Sequence, residues 1–171
     1  YTLADALALT GPAAQIVVTS GTFDTAGYNV TSWALSTAAG ATLTMTNTTW
    51  SLVPDSNIAT PWSMNASTTL NAMGSTIVDN GTTGNQTFAG GGKIYWNVKF
   101  NTATTVTRTI SGNNTFNNQL WRTGNGSGSF SITGSNTIWD FKDDSTVAHS
   151  ILFTTGTTQN IVKWSISGTS G

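Results

Sequence analysis

The feature that most constrains this chain is a phrase that returns at a fixed step. Gly112-Asn113-Asn114-Thr115-Phe116-Asn117-Asn118 recurs as Gly134-Ser135-Asn136-Thr137-Ile138-Trp139-Asp140, and more weakly as Gly156-Thr157-Thr158-Gln159-Asn160-Ile161. The three leading glycines are evenly spaced, at a step of 22. Leu43 to Trp50 parallels Leu70 to Ile77 at a step of 27, and Gly84-Asn85-Gln86-Thr87-Phe88 reads as a further copy, set before Gly112 by a step of 28. A period of roughly 20–30 residues made of short strands and polar turns is the signature of a solenoid, in which each repeat stacks on the next to bury a continuous core.

The segments between the turns support strands. Thr42-Leu43-Thr44-Met45-Thr46, Ser129-Phe130-Ser131-Ile132-Thr133 and Trp164-Ser165-Ile166-Ser167 alternate apolar with hydroxyl side chains, the period of a half-buried strand. Thr suits the pleated surface because its branched Cβ fits there, and Gly or Asn follows each strand to make the turn. The one helical candidate is Thr2 to Thr10, which also reads as a first strand through Leu3, Leu7 and Leu9.

The expected fold is all-β: a right-handed parallel β-helix with coils of about 22–28 residues. It forms one domain over 1–171, with 1–19 as an N-terminal coil or cap, in a segment of a longer chain. A β-sandwich or jelly roll is the alternative, since strands spaced by about 8–12 residues fit it too. The solenoid places Phe116 over Ile138 and Asn114 over Asn136, with Ile110, Ile132 and Ile166 pointing inward. The apolar pairs Phe130/Ile132 before Gly134 and Trp164/Ile166 before Gly168 read as equivalent.

Composition narrows the function. Charged residues are 8% of the chain, against about 25% in ordinary soluble domains, and Glu is absent. With 37% hydrophobic residues, seven Trp and seven Phe, the chain has a core to fold around. The six basic residues are scattered from Lys93 to Lys163, which argues against nucleic acid as a partner. No apolar run reaches the roughly 18 residues of a membrane helix. The absence of cysteine removes thiolate chemistry, disulfides and Cys-based zinc sites. A neutral polar coat suits a virion or an extracellular surface.

Four strings carry a family resemblance: Gly21 to Val30, Thr87 to Gly92, Gly112 to Asn118 and Gly156 to Val162. They resemble right-handed β-helical segments in repeat proteins of tailed bacteriophages and of bacterial surfaces, over residues 20–171. The resemblance implies a structural part of a virion (a tail fibre, tailspike or capsid-decoration segment), with a surface adhesin or carbohydrate-binding module as the alternative. The partners it implies are other virion or surface proteins, further copies of the chain, or a host-surface glycan. Its motifs describe turns and carry no catalytic residue.

Candidate chemistry is sparse. Asp140, Lys142, Asp143, Asp144 and His149 form the densest ionisable cluster. Hydrolysis of a glycoside needs two carboxylates held across a sugar ring, and here a single coil supplies all the acids. No enzyme activity and no cofactor are expected. Asp143 and Asp144 are read as a solvated turn, tolerant of Asn, with hard oxygen ligation of calcium as the only metal option. Gly90-Gly91-Gly92-Lys93 lacks the spacing of a phosphate loop. Thr42-Thr44-Thr46 is not repeated along the chain as an ice-binding array requires. Most Trp are assigned to packing, Trp50 and Trp139 among them. Trp62, in the excursion Pro54 to Ala66, is expected to be exposed and, with Trp33, Asp143 and Asp144, to contact a ligand or partner.

Overall fold

A computed structural model describes residues 1–101 and 105–167. The described residues contain eighteen strands and no helix, arranged as a β-solenoid of about seven turns. All pairings between its strands are parallel.

The largest sheet stacks eight strands in the order β1 (Leu7–Ala8), β4 (Val30–Ser32), β7 (Thr49–Leu52), β10 (Thr76–Asp79), β12 (Ile94–Asn101), β14 (Thr115–Thr123), β16 (Asn136–Asp143) and β18 (Gln159–Ile166). A second sheet stacks β2 (Gln15–Val18), β5 (Ala34–Thr37), β8 (Trp62–Ser63), β11 (Gln86–Ala89), β13 (Arg108–Ser111), β15 (Phe130–Ile132) and β17 (Ile151–Phe153). A third holds only β3 (Thr22–Asp24), β6 (Thr42–Thr44) and β9 (Thr69–Asn71). The Leu-rich start therefore takes the strand alternative, with β1 and β2 opening two sheets.

Side chains stack in rows because the coils repeat in register. In the largest sheet the row Leu7, Val30, Trp50, Ile77, Val98, Leu120, Phe141, Trp164 points inward. In the second sheet the inward row is Ile16, Leu35, Trp62, Phe88, Ile110, Ile132, Phe153. Both rows are buried through the middle of the rod. Burying such side chains is worth roughly 1.5–3 kcal/mol each.

The repeated Gly-x-Asn-Thr phrase is a hydrogen-bonded ladder. Phe116 pairs with Ile138 in register. Asn136 Oδ1 accepts from the Asn114 backbone N–H at 2.9 Å, and its Nδ2 donates to Gly134 O at 3.1 Å and to Gln159 Oε1 at 3.1 Å. Asn114 Oδ1 likewise accepts from Gly92 N at 3.1 Å. Both Asn side chains are buried, so the ladder satisfies turn groups that water does not reach.

Three details of the sequence reading change. Gly84 to Phe88 is not a copy of Gly112 to Phe116, because Phe88 pairs with Ile110 on the next coil. In the third copy the register slips by one, and Ile161 rather than Asn160 lies over Ile138. The partners of Phe130 and Ile132 are Ile151 and Phe153, whereas Trp164 and Ile166 belong to the other sheet. Gly168 lies outside the described residues. Ile110 and Ile132 are buried as expected, but Ile166 is 54% exposed because it stands on the last described coil.

Coil cross-section changes along the rod. The first three coils run from the third sheet into the largest through short turns such as Ala72-Met73-Gly74-Ser75, between β9 and β10. From β12 onward the chain rounds that corner within one long strand. Tyr95 and Val98 both point inward, with Trp96-Asn97 forming the bend. β14 carries one additional residue at the same corner, Asn117-Asn118 opposite Trp96 and Trp139.

Candidate functional site

The ionisable cluster is more ordered than a solvated turn. Asp143 is the inward residue that follows Arg122 in its row, and it is buried. Its Oδ1 accepts from the Ser145 backbone N–H at 3.0 Å, and its Oδ2 lies 2.6 Å from His149 Nε2. His149 Nδ1 lies 2.8 Å from Val147 O, so both ring nitrogens are engaged within the chain. Arg122 is buried and donates to Ser145 Oγ at 2.7 Å, Gly126 O at 2.7 Å and Gly128 O at 3.0 Å. Burial lowers its guanidinium from the usual value, and the Asp143 charge opposes that. The solvated-turn reading of Asp143 is thus corrected: its row faces the core, where a charge requires partners.

Asp144 does face outward. Its Oδ1 accepts from Trp121 Nε1 at 2.9 Å, and Lys142 Nζ lies 3.4 Å from its Oδ2. Burial pushes its carboxyl up, but the bonds from Trp121 and Thr123 and the Lys142 charge hold it below the usual value. Lys99 and Lys142 sit 3.9 Å from the Trp121 ring centroid, on the strands either side. Asp140 binds Ser165 Oγ at 2.7 Å and Gln119 Nε2 at 3.2 Å, with Lys163 Nζ at 3.5 Å. Among the described residues no group of three or more His, Cys, Asp or Glu side chains could hold a metal ion. No helix among them is long and apolar enough to cross a membrane.

The tryptophans fall differently from the sequence reading. Trp62 is fully buried in β8, where its Nε1 donates to Tyr95 Oη at 3.1 Å and its ring stacks on Phe88. It cannot serve as an exposed platform. The excursion ends at Pro61, five residues before the expected Ala66, and Trp62 rejoins the inward row. Trp33 is half-buried at the bend between β4 and β5. Trp50 packs in the core as expected, whereas Trp139 is 56% exposed. At Trp139 the chain is rounding the corner, so the residue after inward Ile138 turns out to solvent.

That corner builds a surface that single-residue reasoning missed. Trp96, Asn117, Trp139 and Val162 occupy it on four successive coils. At its N-terminal end, where β9 has no further partner in its sheet, the change of cross-section leaves a cleft of about 420 Å³. Its floor is Tyr95 and Ala72, its apolar walls Leu70, Met73, Ile94 and Trp96, and its rim Thr46, Asn71 and Asn117. Tyr95 Oη donates to Gly90 O at 2.7 Å, which anchors the floor, and burial raises its phenol above the ordinary value. Trp96 and Trp139 stand two coil lengths apart in the chain, a sequence signal legible once the corner is known.

The threonine row is shorter than an ice-binding array. Thr22, Thr42 and Thr69 stack, and the positions two residues on are Asp24, Thr44 and Asn71.

Comparison with protein-family models, with curated proteins and with solved structures finds no significant match to this chain.

Proposed function

We propose that the chain is a non-enzymatic structural module, a rod segment of a phage virion of the tail-fibre, tailspike or capsid-decoration kind. The observation that carries this reading is the in-register stacking of inward rows from coil to coil, which continues to the last described coil of the rod. Phe153 is 42% exposed, Trp164 51% and Ile166 54%, although each continues a row whose previous member is buried. Trp164 still packs on Phe141 and Phe153, with ring centroids 4.8 and 6.2 Å away. An apolar, in-register face of this kind is what the next coil of a stacked assembly covers, as solenoid repeats cover one another. It suits a part that transmits geometry along an assembly.

The side chains capable of chemistry support the same reading, because their hydrogen bonds are taken up within the chain. The cations are also engaged. Arg108 and Arg122 are buried, Lys99 and Lys142 lie on Trp121, Lys163 pairs with Asp140, and Lys93 donates to Ala66 O. Phosphate binding needs free clustered cations.

Antibodies against the chain test the proposal on virions and cells of its source. Label along the particle exterior, lost when Phe153 and Trp164 are both replaced by Arg, is the expected result. Label confined to the cytoplasm would overturn it. The second reading, a surface adhesin or carbohydrate-binding module, is favoured by the cleft at Trp96.

A further inference from the structure

We infer that the cleft beside Trp96, with the ledge running from it to Trp139, binds a neutral oligosaccharide. The chemistry of the lining and the place of the cleft in the fold both point to this ligand. Sugar binding is independent of the virion reading, and either can fail alone.

The lining combines what an uncharged sugar requires. Half-buried Trp96 and exposed Ile94 and Met73 offer apolar surface for the C–H face of a pyranose. Asn71 and Asn117 are exposed on the rim, and each primary amide both donates and accepts, as sugar hydroxyls do. The Asn117 side chain makes no hydrogen bond to another described residue and is exposed. No Lys, Arg, Asp or His lines the cleft. Phosphates, uronates and polyamines would find no counter-charge there. The volume falls within the roughly 300–1,000 Å³ of small-molecule sites.

The site extends along the rod. Neighbouring strands are about 4.8 Å apart, so Trp139, two coils beyond Trp96, stands about 10 Å along the same corner. Asn117 lies between them. Aromatic, amide and aromatic groups in line match an extended sugar chain, and a monosaccharide cannot reach both rings.

An extended peptide added to the edge of β9 is the competing occupant. Thr69 N and Asn71 O already bond the preceding coil, at Ala41 O and Met45 N. In this three-residue strand only the Leu70 backbone groups are left at the edge. One residue cannot hold a strand in register.

The test titrates the intact chain, following tryptophan fluorescence. The probes are cellotetraose, maltotetraose and chitotetraose, with tetragalacturonate and an octapeptide of alternating Thr and Val in parallel. At least one neutral tetraose should give a saturable change at millimolar concentration or below. Trp96→Ala and Asn117→Ala should each weaken it about tenfold. Trp139→Ala should weaken the tetraose and leave the corresponding disaccharide unaffected. Asn117 is exposed, so its variant folds even if Trp96→Ala does not, and circular dichroism checks both. Silence from all three neutral probes, equal binding of tetragalacturonate, binding of the peptide in place of the sugars, or undiminished affinity in folded Asn117→Ala would each overturn the inference.

Discussion

Asp79 Oδ2 lies 3.3 Å from Arg108 Nε inside the rod, both side chains almost wholly shielded from water. Burial pushes the Asp79 carboxyl up and lowers the Arg108 guanidinium, and each charge opposes the shift of the other. Arg108 also donates to Gly81 O and Gly84 O, holding the turn between β10 and β11. Removing one partner of such a pair leaves the other charge buried alone, which costs about 3–5 kcal/mol. Asp79→Ala should therefore lower the urea midpoint far more than Asp5→Ala, a control at an exposed carboxylate.

Asp143→Asn should destabilise the rod by about 1–3 kcal/mol, because an amide cannot accept as the carboxylate does from Ser145 N and His149 beside buried Arg122. Chemical denaturation measures the difference. An unchanged midpoint would restore the solvated-turn view.

The Asp144 carboxyl is shifted in the opposite direction to that of Asp79. Its folded carboxyl lies below the usual Asp value, so its contribution is fully present above about pH 4 and is lost as pH falls through the lower folded value. The group is partly exposed, so the contribution is at most about 1 kcal/mol. Melting midpoints of the parent and of Asp144→Asn should converge in acid and separate above about pH 4.

Gly134 and Gly156 provide a matched pair. Both have positive φ, +81° and +77°. A Cβ on Gly134 would stand 2.4 Å from Gly112 O, while one on Gly156 meets nothing within 4 Å. Gly156→Ala should cost about 1 kcal/mol from the backbone alone, and Gly134→Ala clearly more, since the coil below must shift. Thermal unfolding of the two variants checks the order.

Much of the fold was legible in the sequence because stacking makes equivalent positions chemically alike. The buried Asn ladder repeats Asn114 as Asn136, and the inward Phe116 repeats as Ile138. The phase was legible only where coils have equal length. Phe88 aligns with Phe116 in the sequence because both follow a Gly-Asn phrase, yet their strands lie in different sheets. The sites were harder to read. Trp62 reads as a loop residue because it follows Pro61, yet it opens β8 and joins the inward row, while Trp139 follows inward Ile138 and so points outward. Asp143 read as a turn residue because its partner Arg122 lies one coil below, distant in the chain though adjacent in the sheet.

The stacking register is the claim on which the rest depends, and the absence of cysteine allows a direct test. Thr109 and Ser131 are half-buried on the outer face and pair across adjacent coils. Their Cα atoms should be about 4.8 Å apart, within the roughly 4.4–6.8 Å a disulfide spans. The measurement is the oxidation of the Thr109→Cys/Ser131→Cys double variant, followed by its non-reducing mobility and by mass. The expected result is a complete intramolecular disulfide in the folded protein, with none in the Ser111→Cys/Ser131→Cys control, which is displaced by two positions. Free thiols in the first pair, or equal closure of both, would contradict the solenoid register.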